Sequence, residues 1–249
     1  MPELLVDAEA CMTTEAVLGG FDLQAGYDRH VIVHGVSIEV HRGEIVCIIG
    51  PNGSGKSTLL KALYGFLRPM AGRVLLLGED VTNLSPQERL AMGAAYVPQG
   101  RSVFPFMTVL ENLELGAYLQ PRRTREAVDR VFTIFPRLAE RQRQQAGTMS
   151  GGEQRMLEIG RALMLDPQML LLDEPSAGLS PAFAKTAFET VRRLNEDHGL
   201  TVLMIEQNAR EGLQLADRGY VLESGNLRFS DTGQRLLENA AVRRLYLGG

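Results

Sequence analysis

The segment Gly50-Pro51-Asn52-Gly53-Ser54-Gly55-Lys56-Ser57-Thr58 constrains the fold of this chain more than any other. It fits the pattern GxxxxGK[ST] at every fixed position, and such a loop works in one kind of setting. It leaves a buried strand, wraps an anion with bare backbone amides, and opens a helix whose positive end faces the same anion. The flanks meet both demands. Residues 45–49 are a continuous apolar run, as expected of a strand covered on both faces. Residues 57–67 are predicted to continue as a helix.

Glycines at 50, 53 and 55 permit torsions and close approaches that a side chain would block. The loop amides then hold the β-phosphate of a nucleotide, and Lys56 reaches the β- and γ-phosphates. Ser57 offers its hydroxyl to Mg2+, and Thr58 contacts the α-phosphate. A glycine turn without a ligand is the alternative, and it explains neither the strand before nor the helix after.

The composition suits that reading. The chain has 249 residues, 45% hydrophobic and 22% charged, which allows one large domain or two small lobes. Its two cysteines, Cys11 and Cys47, fall in a polar N-terminal stretch and an apolar strand. A disulfide framework is therefore not expected, and a reducing cytosol fits better. No run approaches the 18 apolar residues that span a membrane, and the first basic residue is Arg29, too late for a secretory signal. A net charge of −4 argues against duplex nucleic acid as a partner.

Residues 1–16 read as a loose acidic extension. Strands are predicted at 17–25, 36–40, 74–77 and 94–97. From 108 to 145 the pattern turns helical, with Thr108 as the cap of a helix that carries Glu111 in its first turn. The stretch 122–143 holds seven arginines against Glu126, Asp129 and Glu140. It is either a face that meets a membrane protein or anionic headgroups, or a solvated helical surface. Beyond residue 168, strands (169–172, 201–205, 219–223) alternate with helices (181–195, 208–216). Such alternation implies a parallel sheet covered by helices.

Four further features carry chemistry. Met169-Leu170-Leu171-Leu172-Asp173 is a buried strand ending in a carboxylate, suited to Mg2+ that keeps most of its waters. Glu174 follows at the carboxyl edge of the sheet, where ligands collect, and is the candidate to polarise an attacking water. Ser150-Gly151-Gly152-Glu153 matches a capping box, yet capping alone does not call for two glycines, which weaken a helix start. Bare glycines there let amides press on another molecule's phosphate, at the positive end of the helix. Gln99, past the strand 94–97, is placed to touch metal or water and to report to the helical region. Tyr27 offers a ring for stacking on adenine, or else is a core or edge tyrosine.

Taken in order, the Gly50–Thr58 loop, Gln99, Met149-Ser150-Gly151-Gly152-Glu153-Gln154, the strand ending Asp173-Glu174 and Ser176-Ala177-Gly178-Leu179-Ser180 resemble the ATP-binding subunits of ATP-binding cassette (ABC) transporters. The likeness covers residues 27–207. It implies an α/β fold: a mostly parallel RecA-like sheet with an N-terminal antiparallel β subdomain and a helical subdomain at about 100–155, all within one nucleotide-binding domain over 17–249. ATP and Mg2+ are the implied ligands, with Tyr27 and residues 50–58 on ATP, and Ser57, Gln99 and Asp173 on the metal. Glu174, Gln99 and Gln207 are the implied catalytic group. Two subunits, a sister ATPase or a second copy of this chain, would clamp ATP between the phosphate loop of one and Ser150–Glu153 of the other.

The implied partners are permease chains and, indirectly, an extracytoplasmic solute-binding protein. The implied place is the cytoplasmic face of a bacterial inner membrane. The phrases Pro98-Gln99-Gly100-Arg101, Ile205-Glu206-Gln207-Asn208 and Leu245-Tyr246-Leu247-Gly248 are similar to the second ATPase of branched-chain amino-acid importers and their urea or amide relatives. Lipid or lipopolysaccharide exporters have equally compact ATPases, and soluble ABC ATPases of repair or translation are a more distant alternative. Two positions depart from the family pattern. Gln207 stands where most members carry histidine, and none of the four histidines (His30, His34, His41, His198) replaces it. Ser180 stands where many carry aspartate.

Overall fold

The computed structural model describes residues 16–247. The loose extension expected over 1–16 thus lies outside the described residues, apart from Ala16, which is buried in the first strand. The chain opens with β1 (Ala16–Tyr27), β2 (His30–His41), β3 (Ile45–Ile49) and α1 (Lys56–Tyr64). It continues through β4 (Ala71–Leu76), β5 (Glu79–Asp80), α2 (Pro86–Ala91) and β6 (Ala94–Val97). Four helices follow, α3 (Val109–Gly116), α4 (Thr124–Ile134), α5 (Pro136–Glu140) and α6 (Gly151–Ala162). Then come β7 (Met169–Asp173), α7 (Pro181–His198), β8 (Thr201–Ile205), α8 (Ala209–Leu215) and β9 (Arg218–Glu223). The last elements are β10 (Asn226–Thr232), α9 (Gly233–Glu238) and α10 (Ala240–Tyr246).

Two sheets result. The six-stranded sheet has the order β10-β9-β3-β8-β7-β6 and is parallel except for the β9–β10 hairpin. The other, β2-β1-β4-β5, is antiparallel throughout. Successive side chains of a strand point to opposite faces, and here each face has its own core. Ile45, Cys47 and Ile49 join Leu172, Val202 and Met204 beneath the helices, with Leu113, Leu157 and Val191. Val46 and Ile48 join Leu171, Leu203 and Ile205 on the other side, against Leu59, Leu60 and Leu63 of α1 and Leu23, Val33 and Val40 of the second sheet. The continuous apolar run at 45–49 is the direct consequence. Each fully buried side chain of this kind contributes on the order of 1.5–3 kcal/mol.

Helix α1 stops at Tyr64 rather than 67. Gly65 takes φ 90° and returns its N–H to the carbonyls of Lys61 and Ala62. Helix α3 begins as expected, with the Thr108 hydroxyl and the Glu111 carboxylate forming a reciprocal capping box. In the arginine-rich stretch, Arg123 pairs with Glu126, Arg137 with Glu140, Arg130 with Asp166 and Arg141 with Glu153. Much of that charge is therefore met by carboxylates of the chain itself. Among the described residues no helix is long and apolar enough to cross a membrane.

Candidate nucleotide-binding site

The phosphate loop leaves β3 at Gly50, where a Cβ would stand 2.1 Å from the carbonyl oxygen of Leu222 in β9. Only glycine lets the loop start this close to the neighbouring strand. At its far side the Ser54 carbonyl accepts a hydrogen bond from Gly225 N–H at 3.0 Å, which ties the loop to the β9–β10 turn. Pro51, Asn52 and Gly53 are exposed between these anchors, while Ser54, Gly55, Lys56 and Thr58 are buried and Ser57 is half-buried.

Lys56 opens α1, and its Nζ donates to the carbonyls of Gly50 (2.7 Å) and Pro51 (3.1 Å). The ammonium is thus held under its own loop, where incoming phosphate oxygens would compete for it. Burial lowers its pKa, and the nearby carboxylates of Glu174 and Asp173 work against that fall.

Both carboxylates come from the end of β7, between β6 and β8. Asp173 Oδ2 accepts the Tyr96 hydroxyl at 2.9 Å. Its Oδ1 is buried and has no hydrogen-bond partner among the described residues. An orphaned, buried carboxylate oxygen beside the phosphate loop suits a water held by Mg2+, so the residues fit that ion. Glu174 follows with φ 48°, a left-handed conformation that costs a residue with a Cβ. Its N–H donates to the Ile205 carbonyl at 3.0 Å, and its Oε2 accepts Gln99 Nε2 at 2.7 Å. Gln99, expected to touch metal or water, here has its amide nitrogen committed to Glu174.

The other expected residues are placed as follows. Tyr27 is the last residue of β1 and 45% exposed, so it is an edge tyrosine, not a core one. Gln207 lies two residues past β8, exposed, with its backbone N–H donating to Glu206 Oε2 at 3.1 Å. Glu206 is itself buried and accepts Ser176 N–H and Oγ–H, each at 2.9 Å. Burial raises its pKa, and those hydrogen bonds offset part of the rise.

Ser150 caps α6 with a complete capping box. Its Oγ donates to Glu153 Oε2 at 2.9 Å, and its N–H donates to the same oxygen at 3.0 Å. The glycine pair, which capping does not call for, has a packing duty at one position. A Cβ on Gly152 would lie 2.3 Å from Phe183 Cδ1, so this glycine admits the aromatic ring of α7. Gly151 is different: its Cβ would meet Leu179 at an ordinary 3.5 Å. Gly151, Gly100, Glu174 and Leu179 share a cleft of about 330 Å³.

Sequence reasoning missed two residues that organise this centre. Arg155, one turn into α6, is buried and paired with Glu158 at 2.9 Å. It also donates to the carbonyls of Pro98 (2.9 Å) and Asp173 (3.4 Å), joining α6, the Gln99 loop and β7. Tyr96 is the other. Its place at the end of a strand, three residues before Gln99, was the available signal.

A glycine loop between a buried parallel strand and a helix, with an acidic pair at the end of a nearby strand, defines a P-loop nucleoside-triphosphatase site. The ABC transporter family model matches residues 33–177, and the chain belongs to that family. It is 48% identical over 224 residues to the high-affinity branched-chain amino acid transport ATP-binding protein BraG of Pseudomonas aeruginosa, covering 90% of this chain and 96% of that one. It is 34% identical over 237 residues to the lipopolysaccharide export ATP-binding protein LptB of Haemophilus influenzae, covering 94% and 98%. Among solved structures, the ADP conformation of MJ1267, an ATP-binding cassette of an ABC transporter, superposes with a TM-score of 0.83 at 33% identity, covering 94% and 99%.

Proposed function

We propose that this ABC ATPase powers import of branched-chain amino acids through a permease at the cytoplasmic face of a bacterial inner membrane. The observation that carries the coupling is the Gln99–Glu174 hydrogen bond of 2.7 Å. It joins the carboxylate that would polarise the attacking water to a segment bordering a groove of about 480 Å³ between the sheet and the helices. Tyr96, Pro98, Phe104, Leu115 and Tyr118 line that groove, and Phe104 and Tyr118 are exposed. A cytoplasmic helix of the permease suits its aromatic walls. The 48% identity to BraG supports the choice of solute.

In this reading residues 50–55 wrap the β-phosphate and hold it with their backbone N–H groups, of which Pro51 has none, Lys56 holds the β- and γ-phosphates, and Thr58 meets the α-phosphate. Ser57 and Asp173, with Gln99 near them, would hold Mg2+, which supplies charge neutralisation across the phosphates. Glu174 draws a proton from water as it attacks, and Gln207 donates a hydrogen bond to the phosphoryl oxygens. Tyr27 stacks on the adenine. Ser150–Glu153 face the nucleotide of the opposing subunit, a sister ATPase or a second copy, and closure of that pair drives the permease. A solute-binding protein outside the membrane delivers the cargo.

The test is recovery of the chain from detergent-solubilised native membranes, with mass spectrometry of its companions. Two polytopic permeases, a second ATPase and an amino-acid-binding protein are expected. A urea- or amide-binding protein, or a lipopolysaccharide export complex, would replace the solute. Recovery with repair or ribosomal factors alone would refute transport.

A further inference from the structure

The Tyr96 hydroxyl is the donor that fixes one oxygen of Asp173, and its own ring is fixed in turn. The ring stacks on Tyr64 with centroids 5.1 Å apart at 27°, and meets Phe66 edge-on at 5.0 Å and 77°. Tyr64 and Phe66 also touch, at 5.0 Å. Three rings therefore set the direction of one O–H. The terminal torsion of an aspartate is broad, so a carboxylate on a strand end does not orient itself. With Oδ2 held at 2.9 Å by Tyr96, Oδ1 is the oxygen left over, buried and without a partner among the described residues.

We propose that Tyr96 is the positioning residue of the metal site: it locks the Asp173 carboxylate so that Oδ1 alone is presented to a divalent ion or its water. The proposal rests on the nucleotide reading above. Nothing in the loop's own pattern requires a tyrosine at 96. What requires it is that, among the described residues, no arginine or lysine side chain lies within hydrogen-bond range of the Asp173 carboxylate to orient it; Arg155 reaches only its backbone carbonyl. Removing an outer partner that orients a metal ligand typically costs 10–100-fold in metal affinity.

The experiment uses the full chain, ADP and Mn2+. Free Mn2+ is followed by its EPR signal as the ion is titrated into chain and ADP, and the affinity of a fluorescent ADP is measured separately in EDTA. Tyr96→Phe keeps the ring and removes only the hydroxyl. It is expected to weaken Mn2+ about tenfold with ADP affinity in EDTA kept, while the melting temperature falls because a buried carboxylate oxygen loses its donor, and Asp173→Asn sets the larger Mn2+ loss. A Mn2+ loss under threefold overturns the proposal. Parallel loss of ADP affinity in EDTA also overturns it, because the hydroxyl would then be supporting the fold and not the ion. Absence of ADP binding by the unaltered chain is a separate result and would sink the nucleotide reading and this inference together.

Discussion

Arg89 is among the most buried side chains of the molecule, 1% exposed, and its replacement by methionine gives the sharpest test of how the phosphate-loop helix is held. Its Nη1 donates to the carbonyls of Leu63 (2.5 Å) and Ala62 (3.2 Å), at the end of α1. Its Nη2 donates to Val81 (2.6 Å) and Thr82 (3.3 Å), and its Nε to Leu84 (3.3 Å). Helix ends leave carbonyls unpaired, and a cation there also meets the negative end of the helix dipole. Burial pushes the guanidinium pKa down to about 10, so it remains charged at neutral pH. Methionine fills much of the stem's volume but supplies no donor. Ala62 and Val81 keep a second donor each, from Gly65 and Leu84.

The principal loss is thus the Leu63 carbonyl, about 1–3 kcal/mol for a buried group left unsatisfied, with smaller losses at the other four. Relief from burying a charge offsets part of this, and a net destabilisation of about 3 kcal/mol remains. For a chain of this size that lowers the melting temperature by roughly 6–12 °C. Circular dichroism melts of the two proteins supply the measurement. An unchanged or raised melting temperature would refute the argument, since it would mean that burying the guanidinium costs as much as its five bonds return.

Gly152→Ala places a methyl 2.3 Å from Phe183 Cδ1 and is expected to cost about 1–3 kcal/mol of stability, most of it recovered in Gly152→Ala/Phe183→Leu; additive losses in a double-mutant cycle would contradict this. Gln207→His restores the side chain most of the family carries, and a gain in kcat of about tenfold is expected from a hydrogen bond to a charged oxygen; unaltered turnover would count against any role for this position. Glu206 has its folded-state pKa raised by burial, so its protonated form favours the folded chain. Its contribution is present below the unfolded carboxyl value and is lost as pH rises through the raised folded value. The stability difference between the unaltered chain and Glu206→Gln should therefore change across that window, and a pH-independent difference would refute the assignment.

The central sheet was legible because burial on both faces leaves strands such as Ile45–Ile49 wholly apolar and Met169–Asp173 apolar up to its final carboxylate. The caps at Thr108 and Ser150 were legible because their partners lie three residues away in sequence. Strand β10 was not: Asn226–Thr232 is an edge strand in which only Leu227 and Phe229 are half-buried, and pairing with β9 is what makes it a strand. Helix α2 was missed although Ser85, Pro86 and Glu88 form a full start signal, because six residues carry too little periodicity. The packing of Gly152 against Phe183 was not legible for the same reason that Tyr96 and Arg155 were overlooked. Phe183, Asp173 and Pro98 are distant in sequence, and only the packed structure brings them into contact.

The same long-range packing sets the charge of the site. Lys56 brings one positive charge to a corner that also holds Asp173 and Glu174, and the two carboxylates act on it against its own burial. The ammonium rests on two loop carbonyls at 2.7 and 3.1 Å. A bare triphosphate entering here must displace those carbonyls while facing two carboxylates, so the side chains nearest it are acidic on balance. A divalent ion held by Asp173 would reverse that balance, while Glu174 keeps its bond to Gln99. Two adjacent acids at one strand end can thus take different parts because different neighbours hold them: Tyr96 fixes one oxygen of Asp173, and Gln99 ties Glu174 to the segment beside the groove.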